Sequence, residues 1–478
     1  MDGLPITAEQ FAALPAEFRA ILQAIIAHYE RRIGLLEARV VELEAELAAA
    51  KKNPRNSSKP PSSEHPHAKP KPKAPPSGRR PGGQPGHEKH QRALIPVEDC
   101  VAVHDHKPTT CGGCGKSLRG AAPDATPLRK QILEIPPIMP DVTEHRLHRL
   151  TCPGCGATTC GALPPDVPTI EAGPRLVALA ALLMADFRCS KRKAAAFLQD
   201  VLNVPCSPGW VVKLQNFATG ALRPAYDDLV ARLPDEPRLN IDETPTKQAK
   251  LKAWLWTFVA ATFTVFSLRK SRKADALHDH LGENFAGVVG CDRAKMYFSI
   301  DKVQWCWAHL IRDFQSWIDG PDATAKRLGH DLMRPITRLF ELWWNVREGT
   351  LTREEFREQS QHDRDEIDSL LLRGVHLATG KPRATCVELR RHRARLWAFA
   401  EHDGVEPTNN AAERALRQAV IWRKLSFGTQ SAAGSRFVET MLTIIETCRQ
   451  QGRSAYAFAI EALTARHAGK TAPTLTGA

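Results

Sequence analysis

The stretch Arg238-Leu-Asn-Ile-Asp242-Glu243-Thr244 decides the reading of this chain. Its alternating apolar positions predict a buried strand that ends in acid. Residues 253–261 and 262–268, rich in Leu, Trp, Phe, Val and Thr, predict two more strands. A helix over Ala274–Leu281 and a further buried strand, Gly287-Val-Val-Gly-Cys-Asp292, follow. Asp242 and Asp292 therefore each close a strand. Side chains alternate across a strand, so Glu243 faces away from Asp242, and Asp242 is the candidate ligand.

A third acid lies on a predicted helix, in Asn409-Asn410-Ala-Ala-Glu413-Arg414. Two readings of Glu413 stay open. Asn410 as N-cap with Glu413 three residues later would form a capping box. Alternatively Glu413 is a metal ligand, with Arg417 and Lys424 further along the same helix face to meet a phosphate; Glu406 is the reserve third ligand. Residues 307–400, between the second and third acids, read as mostly helical, an insertion at about 310–400 that could act as a second DNA clamp.

The rest of the chain supplies context. With 478 residues it should form several domains. Its 66 Lys+Arg against 53 Asp+Glu give a net charge of +13, which favours a polyanionic partner such as a phosphate backbone. Three carboxylates on separate elements of a basic protein point to metal-dependent phosphodiester chemistry on double-stranded DNA. No basic start followed by an apolar stretch opens the sequence, and the longest apolar runs fall short of the ~20 residues of a membrane helix. The expectation is a cytoplasmic protein without a membrane partner. In that setting its twelve cysteines serve as metal ligands or free thiols in place of disulfides.

Residues 17–50 carry a heptad pattern, with Ile26, Ile33, Val40 and Leu47 at one seam position and Leu22, Tyr29, Leu36 and Leu43 at the other. This predicts a parallel coiled coil and a homodimer or higher oligomer. Residues 51–93, with Asn56-Ser-Ser-Lys-Pro-Pro-Ser-Ser63, are too polar to fold alone and read as a basic linker. In residues 94–168, Cys111-x2-Cys114 and Cys152-x2-Cys155 form two knuckles, which together could hold one structural Zn²⁺ in a ribbon with strands at Gln131–Ile135 and Val142–Leu150. Cys100, Cys160 and His104 are substitute ligands. Residues 169–232 read as a helical, helix-turn-helix-like DNA-binding region. Ser207 caps a helix that starts at Pro208, and Lys191, Arg192, Lys193 and Lys213 are candidate phosphate contacts.

Taken in order, the coiled coil, the Asn-Ser-Ser-Lys-Pro-Pro-Ser run, Pro81-Gly-Gly-Gln-Pro-Gly-His87, the paired knuckles, Asp242-Glu-Thr, Cys306-Trp-Ala-His309 and Asn409-Asn-x-x-Glu413-Arg414 resemble the large transposases of the insertion-sequence 66 family. The resemblance covers nearly the whole chain and extends to Arg423-Lys424, Phe427-Gly428 and Ser431. It implies a multidomain α+β protein whose residues 233–468 form a ribonuclease-H-like Asp-Asp-Glu catalytic domain acting on the inverted ends of a mobile element. It also implies Asp242, Asp292 and Glu413 as catalytic residues, and small accessory proteins of the same element as partners. The family usually has Asp-Gly at the second acid; here Arg293 follows Asp292.

On this reading two Mg²⁺ (or Mn²⁺) ions about 3.5–4 Å apart would be bridged by Asp242 and held by Asp292 and Glu413. Water would nick the element end, and the freed 3′-hydroxyl would attack target DNA, with Arg417, Arg423 and Lys424 on phosphates. The rival readings are a nuclease that cuts without joining and a zinc-ribbon DNA-binding regulator whose acids are structural.

Overall fold

The structure is a computed structural model that describes residues 8–50, 92–123, 126–164, 167–168 and 170–476. Nearly all of the expected linker (51–93) lies outside the described residues. The chain separates into two compact units. One contains the N-terminal helices, Glu144–Ala196 and Cys206–Ala478; the other comprises residues 67–143 and 197–205.

The first unit begins with α1 (Ala8–Ala12) and the long α2 (Ala16–Ala50). Ile25, Tyr29, Ile33, Leu36, Val40, Leu43 and Leu47 of α2 are all exposed. A short antiparallel hairpin, β1 (Arg149–Thr151) and β2 (Thr158–Cys160), carries the second cysteine knuckle. Helices α3 (Pro174–Ala185) and α5 (Pro208–Arg232) follow, and of α4 (Lys191–Leu202) the residues up to Ala196 belong to this unit. Ser207 caps α5 as its sequence predicts, its hydroxyl accepting from the Trp210 N–H at 3.1 Å, with Pro208 in the first turn.

The core is a five-stranded sheet built from β3 (Arg238–Gln248), β4 (Leu251–Val259), β5 (Thr264–Arg269), β6 (Val288–Cys291) and β7 (Val303–Trp305). The order is β5-β4-β3-β6-β7. β3, β4 and β5 run antiparallel as successive hairpins, whereas β6 and β7 lie parallel to β3. The helix α6 (Ala274–Leu281) connects β5 to β6 at the predicted residues. Six helices then separate the sheet from the Asn409 segment: α7 (Trp307–Ile318), α8 (Ala323–Arg347), α9 (Arg353–Gln359), α10 (Gln361–Leu377), α11 (Gly380–Arg391) and α12 (Ala394–Glu401). The chain ends in α13 (Asn410–Ser426), α14 (Ala432–Gln450) and α15 (Ala455–His467).

β3 is longer than its sequence suggests, so Asp242 lies within the strand and does not close it. The extension passes through Pro245, which normally disqualifies a central strand. Here β3 pairs with β6 over Arg238–Asn240, and from Ile241 onward β4 is its one strand partner among the described residues. A proline is tolerated on such a half-edge because no ladder partner needs its missing N–H.

The outer edge of β5 is closed by side chains of α14. Thr447, Thr443 and Glu439 accept from the N–H groups of Thr264, Phe266 and Leu268 at 3.1, 2.9 and 3.0 Å. Spacing of four along a helix advances about 6 Å, and two residues of strand about 6.6 Å, so each helix turn meets one outward N–H. The sheet edge is thereby satisfied without another strand.

The second unit holds the first knuckle. Its expected strand at Gln131–Ile135 is absent. In its place the Gln131 carboxamide brackets Ile95, accepting from its N–H at 2.9 Å and donating to its carbonyl at 2.7 Å. The second expected strand, Val142–Leu150, survives only from Arg149 onward. Pro136, Pro137 and Pro140 between the two runs remove ladder donors, which explains why alternation there does not become a sheet.

Thr443 is fully buried, and replacing its hydroxyl removes the acceptor for the Phe266 N–H. Thr443→Val should therefore lower stability by about 1–3 kcal/mol, read from denaturant unfolding, with the folded secondary structure unchanged.

Candidate active site

The parallel register of β3 and β6 sets two acids side by side. Asn240 pairs with Gly290; two residues further on stand Asp242, still within β3, and Asp292, just past the end of β6. Both acids lie near the carboxyl end of β6, and the charge of Asp292 acts on Asp242. Asp292 folds back on its own loop, its Oδ1 accepting from the Ala294 N–H at 2.8 Å. Asp242 Oδ1 accepts from the Glu243 N–H at 2.9 Å.

Three alternate residues of β3 face α13. Asn240 donates to the Asn409 side-chain oxygen at 2.9 Å, and the Asn409 amide donates to the Ile241 carbonyl at 2.7 Å. Thr244 Oγ1 accepts from Arg423 at 3.0 Å, and the Pro245 carbonyl accepts from the same guanidinium. Asp242 lies between these contacts. At the far end of α13, Phe427 and Gly428 turn with positive φ, and the Thr429 N–H donates to Lys247 O at 2.9 Å. A Cβ at Gly428 would stand 2.4 Å from that carbonyl, so the turn requires glycine. At Gly290 a Cβ would stand 2.6 Å from Asn240 Nδ2 and push it off Asn409. Thus α13 is fastened to β3 at both ends, and Glu413 sits in its first turn.

The capping-box reading of Glu413 does not survive. The N-cap is Asn409, no side-chain cap bond forms, and the Asn409 side chain is spent on β3. Glu413 falls one position beyond the box. Its Oε1 instead lies 3.3 Å from Arg312 Nη2 and 3.6 Å from His309 Nε2, both on α7. Glu406, the reserve ligand, accepts from the Trp343 indole at 3.2 Å.

Electrostatics tie the acids together. The Asp242 carboxyl is pushed well above its usual range, first by burial, then by Glu243, and further by Asp292 and Glu413. Asp292 is also raised, chiefly by burial, with Arg272 and Arg293 pulling it back. Excess negative charge held in a buried pocket suits a hard divalent cation with oxygen ligands. The three carboxylates do not, however, close into one tight ligand group. Among the described residues, the group whose ligand atoms all lie within 4.8 Å of one another is Cys306, His309 and Glu413, which excludes both aspartates.

Glu243 points to the opposite face of β3. Its carboxylate accepts from Tyr297 Oη at 2.6 Å and pairs with Arg272 at 2.7 Å. Burial still pushes it up to about 7. Neither partner was legible in the sequence. Nor was Asn409, although two adjacent asparagines before an acid were visible and a buried carboxamide is a common way to clamp a strand to a helix. His309 and Arg312, three apart on α7, carry no sequence signal beyond the Cys-Trp-Ala-His run.

Of the remaining predicted residues, Lys191, Arg192, Lys193, Lys213, Arg417 and Lys424 are exposed, and Arg423 is occupied by β3. Each knuckle closes in the same way. Gly115 and Gly156 take positive φ, and Cys111 N–H and Cys152 N–H donate to Lys116 O and Ala157 O at 2.8 Å. The Cys111 and Cys152 thiols are held below their usual range, first by the backbone N–H of Cys114 and Cys155, then by those of Gly113 and Gly154. Such turns favour thiolates, the form that binds zinc. All four cysteines are free thiols.

Comparison with known proteins agrees with this architecture. Residues 170–436 match the family described as Transposase IS66 family, and residues 108–156 match the zinc-finger binding domain of transposase IS66. Residues 7–93 match a family of unknown function. An uncharacterized protein, y4qI, of Sinorhizobium fredii (strain NBRC 101917 / NGR234) is 27% identical over 320 residues. The match takes in 59% of this chain and 58% of that relative.

Asn409 is almost wholly buried, and its loss leaves Asn240 Nδ2 and Ile241 O without their partner. Asn409→Ala should cost about 2–4 kcal/mol in chemical unfolding. A loss under about 0.5 kcal/mol would show that α13 does not depend on this clamp.

Proposed function

We propose, from the premise that the chain belongs to the IS66 family of transposases, that it cleaves the ends of a mobile DNA element and joins them to target DNA. The observation that carries this reading is the clamp of α13 on β3, with Glu413 within electrostatic reach of Asp242, which also feels Asp292. The sheet order, three antiparallel strands followed by two parallel ones, supports a ribonuclease-H-like catalytic domain with α7–α12 as its helical insertion. No helix among the described residues is long and apolar enough to cross a membrane.

Asp242, Asp292 and Glu413 would together hold two Mg²⁺ or Mn²⁺ ions. Bound divalent ions would lower the pKa of an attacking hydroxyl and stabilise the leaving oxygen. The chain's own groups do the rest. Arg272 and Tyr297 keep Glu243 out of the site, and the Ala294 N–H keeps the Asp292 loop closed. Arg417 and Lys424 lie on the same helix as Glu413 and would hold backbone phosphates. Arg423, engaged by β3, would act on DNA only by fixing that helix. At α4, Lys191, Arg192 and Lys193 put cations in a first helical turn, the wrong end for the helix dipole. A DNA phosphate there would offset that cost, as would one at the exposed Lys213.

The zinc reading has one ion held by Cys111, Cys114, Cys152 and Cys155. For α2, the exposed seam from Tyr29 to Leu47 fits a parallel coiled-coil dimer of this chain. Small accessory proteins of the same element would be further partners.

Asp242→Asn, Asp292→Asn and Glu413→Gln should each reduce nicking and strand joining by at least about a hundredfold while binding to end DNA persists. Cleavage without joining in the unaltered chain would identify a nuclease. Metal analysis should give one zinc per chain, lost in the Cys111→Ser, Cys152→Ser double variant. Ile33→Asp with Val40→Asp should yield monomers in sedimentation, and an unchanged dimer would place the interface elsewhere.

A further inference from the structure

Helix α7 touches both acid-bearing segments through residues spaced as one helical face. Arg312 and His309 approach the same oxygen of Glu413, at 3.3 and 3.6 Å. The next residue, Asp313, pairs with Arg293, which directly follows Asp292 and also reaches Glu388 of α11 at 2.7 Å. Arg312 is anchored independently of Glu413, because its Nε donates to Ala308 O at 3.1 Å on its own helix. Cys306 is a poor rival for Glu413's attention, since its sulfur already accepts from the Asn409 N–H at 3.1 Å. Arg312 and His309 therefore converge on one carboxylate oxygen, which in the proposed three-acid site would also hold a divalent ion.

We propose that Arg312 is a displaceable counter-ion of Glu413 that becomes a phosphate-binding residue of the reaction. Arg312 and the divalent ion compete for Glu413 Oε1, because one oxygen cannot keep a close guanidinium and an ion at full strength. When the ion takes Glu413, the bond to Ala308 keeps the guanidinium beside the site. Its freed N–H groups would then be available to the scissile phosphate, which gathers negative charge in the reaction. Arg312 thus holds Glu413 in place without an ion and neutralises phosphate once an ion is bound. The partly exposed side chain, 21% accessible, leaves room for that change of partner.

This inference rests on the three-acid reading, and two measurements on the full-length chain separate their failures. Mn²⁺ binding is followed by paramagnetic resonance for the unaltered chain, Arg312→Gln, Arg312→Lys and Glu413→Gln, and end cleavage is then measured at saturating Mn²⁺. Arg312→Gln should bind Mn²⁺ about two- to fivefold more tightly, as expected for losing a partly exposed competing ion pair. It should nevertheless cleave at least about tenfold more slowly when saturated. Arg312→Lys should restore the original Mn²⁺ affinity and part of the rate. A residue that merely supports the fold would weaken Mn²⁺ binding instead, and unchanged or weaker binding in Arg312→Gln overturns the proposal. If Arg312→Gln has an altered thermal melt, the Arg312→Lys result decides: Mn²⁺ affinity tighter than the original overturns it. If Glu413→Gln binds Mn²⁺ as well as the unaltered chain, the three-acid reading itself fails, and the proposal with it.

Discussion

The architecture of the site depends on the side chain of Asn409. It is a carboxamide with 1% exposure that donates to the Ile241 carbonyl and accepts from Asn240, while its own N–H goes to Cys306. Buried polar groups of this kind are costly unless fully paired, and once paired they tolerate few alternative arrangements. The consequence is positional. A strand, the start of a helix reached only after six intervening helices, and the N-cap residue of α7 are joined at one point. Glu413 follows one turn later, and its distance from Asp242 is set by that junction, without dependence on the length or path of the insertion.

The same junction explains why the insertion can be large. Between Asp292 and Glu413 the chain adds α7–α12, with their own apolar core around Trp343, Phe356 and Phe399. These rings pack at centroid distances of 4.9–5.6 Å, mostly edge to face, so this part is stabilised internally. It meets the loop of the second acid through α7 and α11. The Arg293–Asp313 and Arg293–Glu388 pairs make this contact at the position where the family usually has glycine. The two pairs tie the loop of the second acid to the insertion.

Much of this could be read from the residues. The β3–β4–β5 run, α6 at Ala274–Leu281, the Ser207 cap and the acid-ended strand at Asp292 are local features, written in alternation, caps and apolar runs. The parts that escaped are those decided by partners distant in sequence. Residues beyond Thr244 do not read as strand, because β3 becomes a half-edge able to carry Pro245 only in three dimensions. Asn410 reads as a good cap because nothing local reveals that Asn409 is drawn onto β3 and takes that place. The stretch Gln131–Ile135 has strand composition, but a strand needs a neighbour, and the prolines between it and Arg149 deny one. Arg312 and His309 carry no motif that announces contact with Glu413. Their spacing of three on an amphipathic helix was the available signal, and it says only that they share a face.

Asp242, Asp292 and Glu413 are proposed as one cation site, although the ligand atoms that lie within 4.8 Å of Glu413's carboxylate belong to His309 and Cys306. Anomalous diffraction from crystals grown with Mn²⁺ tests it most directly. The account predicts a Mn²⁺ peak within ligand distance, about 2.0–2.3 Å, of carboxylate oxygens from both Asp242 and Glu413, with Arg312 withdrawn from Glu413. A peak held by Cys306, His309 and Glu413 without either aspartate would contradict it.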